Sequence, residues 1–145
     1  MNGTHEFVER FEAAWKEPRT KFVELFHPEG TLIQSGMERA IGRDAIPAHQ
    51  ELSLTLMPDL AIKARRWGAN GDDVFIEWDA AGTFQGIRAE WSGISRFTLR
   101  DGLIIEEIAC FDSLPLRAAA DPTLGRRDMM SVAIEAAGGA PVGGS

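Results

Sequence analysis

The sequence contains one cysteine, three histidines and no tyrosine. A single thiol, Cys110, cannot close a disulfide within the chain, so the fold must be held by its core, and a reducing compartment suits it. His5, His27 and His49 are too widely spaced to read as metal ligands, and no metal is expected. No glycine-rich, phosphate-cradling loop precedes a helix, so neither a nucleotide nor any other cofactor is expected. Positive charge is also scarce: 15 Lys and Arg against 22 Asp and Glu give a formal net charge of −7. That field repels phosphate backbones and anionic lipid. The densest basic spots, Arg65-Arg66 and Arg126-Arg127, read as solvated pairs, so nucleic acid and membrane surfaces are not expected partners. No segment approaches the roughly 18 apolar residues of a membrane-spanning helix. Glu6, Glu9, Glu12 and Lys16 interrupt the N-terminal stretch where a secretory signal needs an unbroken apolar core. A cytoplasmic location is the expectation.

What is present is a globular balance, 44% hydrophobic and 26% charged over 145 residues, enough for one domain with a core of its own. Phe7, Val8, Phe11, Ala14 and Trp15 recur at helical spacing, and Pro18 breaks that helix. Lys21 to Phe26 reads as a short second helix, His27-Pro28-Glu29-Gly30 as a turn, and Thr31 to Gln34 as a strand. Arg43 to Met57 reads as a helix with Ile46, His49, Leu52, Ser53 and Leu56 on one face. Four strands follow, Leu60 to Trp67, Val74 to Phe84, Arg88 to Arg100 and Leu103 to Phe111, joined at Asn70-Gly71-Asp72, Gln85-Gly86 and Asp101-Gly102 into an antiparallel meander. Asp121-Pro122 is the expected start of a last helix reaching Ala137, with Gly138-Gly139 as its stop.

This order, with Phe26-His27-Pro28-Glu29-Gly30-Thr31, Gly42-Arg43-Asp44-Ala45-Ile46, Arg96-Phe97 before Asp101-Gly102-Leu103-Ile104, and Cys110-Phe111-Asp112, resembles the SnoaL-like branch of the nuclear-transport-factor-two-like superfamily. The resemblance runs from Phe7 to about Leu116. It implies an α+β fold in which a cone-shaped, curved, mostly antiparallel sheet is wrapped by N-terminal helices, a cystatin-like α+β barrel. Residues 1–117 would form that domain and 118–145 a C-terminal extension. Relatives include polyketide cyclases, ketosteroid isomerases, limonene epoxide hydrolases and non-catalytic binding modules. The three ketosteroid isomerase positions fall at Gln34, Phe11 and Gly93, so that chemistry lacks its base and its oxyanion donors. The hydrolase triad falls at Asp79, Glu77 and Ala109, and one of three survives.

In Val74 to Ala81 a period of two sets Val74, Ile76, Trp78 and Ala80 against Phe75, Glu77, Asp79 and Ala81. Alternation alone allows the two carboxylates to face water. The resemblance implies that they line the cone, about 7 Å apart, with Trp78 and Ile76 on an outer face that forms a homodimer interface. In that arrangement Asp79 is the expected base and Glu77 its acid or electrostatic neighbour. His49 reads either as a hydrogen-bonded histidine at the core edge or as a proton shuttle. Phe11, Trp15, Gln34, Trp91, Ser95 and Phe111 are the expected substrate contacts, with Gly93 making room beside Trp91 and Ser95. Glu106-Glu107 read as surface residues, Asp112 as a structural hydrogen-bond acceptor, and Cys110 as an unreactive outer-face thiol. Two functions follow: a cofactor-independent acid/base cyclase, isomerase or hydrolase acting on an apolar polyketide-like or terpenoid-like molecule, or a binding module that holds an apolar ligand or a partner protein without chemistry.

Overall fold

The computed structural model describes residues 3–121, 123 and 129–139. Helix α1 (Gly3–Ala14) buries Phe7, Val8, Phe11 and Ala14, the stripe its spacing predicts. Pro18 opens α2 (Pro18–Lys21), where its missing N–H lies in the first turn and costs no helical hydrogen bond. A single 3-10 turn over residues 23–25 replaces the rest of the expected second helix and leads into β1 (Phe26–Gln34). After β2 (Ala40–Ile41) and a second 3-10 turn comes α3 (Ile46–Leu56), with Pro47 in its first turn. Four long strands follow: β3 (Ala61–Asn70), β4 (Asp73–Phe84), β5 (Ile87–Arg100) and β6 (Leu103–Phe111).

The sheet order is β2-β1-β6-β5-β4-β3. The last four strands form the antiparallel meander that the hairpin signals predict. Asp101 and Gly102, with φ of 53° and 78°, and Gln85 and Gly86, with 48° and 82°, all occupy the left-handed region that two-residue primed turns require. Strand β1 joins the sheet parallel to β6, a pairing local patterns cannot announce because its partners are some 75 residues away in sequence. His27-Pro28-Glu29-Gly30, expected as a turn, is instead extended chain inside β1, with a register irregularity between Phe26 and Thr31. Gly30 is what permits the irregularity: a Cβ there would lie 2.6 Å from the Ile104 carbonyl oxygen.

Helix α1 lies over the concave face of the sheet. Phe7 and Phe11 pack on Phe97 with ring centroids 5.1 and 5.6 Å apart. Phe26, Ile46, Ile76 and Ile104 are fully buried in the same cluster. Beyond β6, Asp112 accepts the Leu114 N–H at 2.9 Å, the structural role expected of it, and α4 (Leu114–Ala120) packs against β5. The expected last helix thus has a predecessor that starts at Leu114. Pro122 and the tail from Ala140 lie outside the described residues, while α5 (Met129–Ala136) is followed by a turn in which Gly138 has a φ of 85°. Among the described residues no helix is long and apolar enough to cross a membrane.

Candidate functional site

A few strand residues along from the Phe7–Phe97 cluster the core gives way to a cavity of about 340 Å³. The change can be followed on each strand. On β4 the inward series Val74, Ile76 reaches Trp78; on β5 Phe97 gives way to Ser95 and Trp91; on β6 Ile104 gives way to Glu107, Ala109 and Phe111. Helix α1 supplies Phe11, the residues just after α1 and α2 supply Trp15 and Phe22, and β1 supplies Leu32 and Gln34. At the rim Leu52 and Leu56, 54% and 49% exposed, face Met37, Phe84 and Leu116 of α4. Among the described residues the wall is therefore aromatic and aliphatic, broken only by Gln34, Gln50, Ser53, Ser95 and Glu107. No other titratable side chain is found among the described lining residues.

Glu107 is the chemical centre of this wall. It is 5% exposed, with the apolar Phe97 and Leu32 as its cross-strand neighbours. The Trp78 indole Nε1–H donates to Ser95 Oγ at 3.0 Å, and the Ser95 hydroxyl beside Glu107 favours the ionised form of its carboxyl. Burial pushes the Glu107 pKa up to about 8, against the smaller downward pull of the Ser95 hydrogen bond. The carboxyl is therefore mostly protonated at neutral pH. Its Oε2, the Gln50 Nε2 and the Trp15 Nε1 are buried with no hydrogen-bond partner in the protein. Buried polar atoms are nearly always paired, so three unpaired ones in the residues of one cavity wall mark a place built for something else to bind.

The expected contacts Phe11, Trp15, Gln34, Trp91, Ser95 and Phe111 all line this cavity. Gly93 sits beside it, but the space it leaves is taken rather than open. A Cβ at Gly93 would come within 2.7 Å of both the Trp78 ring and Phe111 Cβ, so the missing side chain lets the indole lie against the sheet.

The face assignment of β4 is reversed. Val74, Ile76, Trp78 and Ala80 point inward and are buried; Phe75 and Asp79 are exposed on the outer face and Glu77 is half-buried there. Asp79 lies 3.7 Å from the Arg65 guanidinium, both side chains more than half exposed. The physical reason is plain: inward burial of four apolar side chains is favourable, whereas burial of two carboxylates with no cation between them is not. The expected acid/base pair of Asp79 and Glu77 is thus not in the cone, and Trp78 and Ile76 are not at its outside. His49 is also absent from the described cavity lining. Helix α3 centres its inward face on Ile46, Gln50 and Leu54, leaving the half-buried His49 to one side, where desolvation lowers its pKa. Both its ring nitrogens lack partners in the protein.

Glu107 was readable and was missed. Four residues before Phe111, it shares that side chain's face by simple alternation, while its neighbour Glu106 points outward to Arg96. A pair of adjacent glutamates reads as surface unless each is assigned its own face. Among the described residues no group of three or more His, Cys, Asp or Glu is placed to hold a metal ion.

The SnoaL-like domain family model matches residues 7–107. No curated protein matches the sequence. Many solved structures share the fold. A proposed SnoaL-like polyketide cyclase from Jannaschia sp. CCS1 is 21% identical, with a TM-score of 0.70 over 81% of this chain and 90% of that one. An NTF2-like protein of unknown function from Burkholderia pseudomallei K96243 is 12% identical, with a TM-score of 0.76 over 83% and 99%. A protein with a ketosteroid isomerase-like fold from Catenulispora acidiphila, solved in complex with trimethylamine, is 19% identical, with a TM-score of 0.71 over 79% and 91%. At these identities the likeness is one of fold.

Proposed function

Because the chain belongs to the SnoaL-like domain family, we propose that it is a small-molecule pocket protein working as a cofactor-independent acid/base enzyme, a cyclase, isomerase or hydrolase, on an apolar polyketide-like or terpenoid-like substrate. The observation that carries this reading is the buried Glu107 in an otherwise uncharged apolar cavity, held by Ser95 and Trp78. A carboxyl whose pKa is moved to about 8 has both forms within reach at neutral pH. In its acid form it donates a proton to a substrate oxygen; as carboxylate it removes one from an acidic carbon or from water. The apolar wall excludes bulk water and strengthens each of these interactions.

Turnover of polyketide-like and terpenoid-like compounds by wild type and by Glu107→Gln tests it. The expected loss in the variant is about 10²- to 10⁴-fold in kcat, with binding retained. The second reading, a binding module, draws support from the lack of any second titratable group among the described lining residues. It is favoured if wild type binds such compounds and leaves them unchanged. A homodimer belongs to the same proposal, now through the face that carries Phe75 and Ile94, 40% and 52% exposed. Sedimentation at micromolar concentration checks it, and a monomer excludes it.

A further inference from the structure

Resting on the reading of the cone as a small-molecule pocket, we infer that it selects an uncharged ligand bearing hydrogen-bond-accepting oxygens and discriminates against both carboxylates and ammonium groups on the same skeleton. The unpaired atoms of the wall set the polarity. Trp15 Nε1 and Gln50 Nε2 are donors with no acceptor capacity. Glu107 Oε2 is unpaired as well, and the Ser95 hydroxyl is close enough to the same carboxyl to favour its ionised form. Ser95 Oγ already accepts the Trp78 N–H. That leaves the Ser95 proton for Glu107 and the Glu107 proton for Oε2, so Trp78 and Ser95 act as positioning residues that make Oε2 the third donor.

Three neutral donors in an otherwise apolar cavity wall suit carbonyl or ether oxygens. A carboxylate would exchange its whole hydration shell for them with no Lys, Arg or His among the described lining residues to balance its charge. An ammonium group would meet the Trp15 and Gln50 N–H donors and a carboxyl that must first lose its proton, with only the neutral oxygens of Gln34, Gln50, Ser53 and Ser95 to replace its water. The titratable surroundings of Glu107 are simple. Phe97 on β5, Leu32 on β1, Ser95 and Trp78 are its neighbours, and it is the one titratable group among the described lining residues.

Four naphthalenes of nearly equal size test this by calorimetry with the full chain: methyl naphthoate, naphthoate, naphthylmethylammonium and ethylnaphthalene. The ester is expected to bind at least about tenfold more tightly than either ion, and a few-fold more tightly than the hydrocarbon through its hydrogen bonds. Its affinity should fall as pH rises through about 8 in wild type, where the Glu107 donor is lost, and stay flat in Glu107→Gln, whose amide keeps a donor. In Ser95→Ala the fall should move to higher pH, because the hydrogen bond that favours the carboxylate is gone, and Ser95→Thr should restore it. Equal or tighter binding of naphthoate or of the ammonium compound overturns the inference, and so does an ester no better than the hydrocarbon. In those cases hydrocarbon binding leaves the pocket reading standing. A cone that takes none of the four overturns both.

Discussion

The two ends of the cone are made from the same strands, with the same alternation of inward and outward side chains, and they differ in how the inward positions are filled. At one end Phe7, Phe97, Ile76 and Ile104 interlock, and each is fully buried. At the other, Trp78, Trp91, Phe111 and Ser95 occupy equivalent positions on β4, β5 and β6 around a cavity of about 340 Å³. The hollow end also collects the unpaired atoms of Trp15, Gln50 and Glu107. A core built for stability fills its volume and satisfies its polar groups. The filled end follows that rule in volume and leaves the Arg10 Nε beside Phe7 unpaired, whereas the hollow end departs from it in volume and gathers three unpaired atoms around one cavity. A void and unpaired polar atoms that coincide in one wall are the mark of a binding function carried by an otherwise stable scaffold.

If the comparison holds, substitutions should separate the ends by mechanism. The largest effect belongs to the filled end: Phe97→Ala removes a ring packed on both Phe7 and Phe11 and should cost about 3–5 kcal/mol by chemical denaturation. Trp91→Ala at the hollow end should cost clearly less, since the cavity already leaves one side of that ring without packing partners. Equal costs would erase the distinction.

Next comes Glu107→Gln, whose effect should depend on pH. The folded-state pKa of about 8 lies above the ordinary value of 4.5, so the stability that wild type owes to the protonated carboxyl is complete below about 4.5 and is lost as pH rises through about 8. The variant, which cannot ionise there, should gain on wild type across that window by a few kcal/mol, with the gain levelling off above it. Denaturation midpoints at several pH values measure this. A flat difference would place Glu107 in contact with water.

Gly93→Ala should follow at about 1–3 kcal/mol, because the new methyl would meet the Cys110 carbonyl oxygen at 2.5 Å and the Trp78 ring at 2.7 Å. Displacement of that indole from Ser95 should change the intrinsic tryptophan emission. The smallest effect is expected for Asp79→Asn, within about 0.5 kcal/mol, since its pairing with Arg65 is solvent-exposed on both sides. A larger change would show that the outer face of β4 is covered in solution.

Much of the architecture was legible because it rests on local rules. The α1 stripe, the four meander strands and the three hairpin turns follow from spacing and from residues that tolerate positive φ. Six of the residues expected around a ligand line the cavity, four of them aromatic side chains whose inward positions leave them nowhere else to go. The side of β4 that faces the cone is a different matter. Alternation divides β4 into two sets without saying which is inside, and family resemblance pointed to Asp79 and Glu77 against the simpler hydrophobic argument. On β6 the same alternation, applied from Phe111 back to Glu107, would have found the buried carboxyl.

The sequence by itself determined α1, α3 and the four meander strands, their order and the two faces of each strand, because those depend on dihedral preferences and on periods of 3.6 and 2. Tertiary structure alone decided the parallel pairing of β1 with β6 and the side of the sheet that α1 covers. It also decided where the filling of the cone stops. Each of these depends on contacts between segments far apart in the chain, and the environment that keeps a proton on Glu107 is assembled from β1, β4, β5 and β6 together.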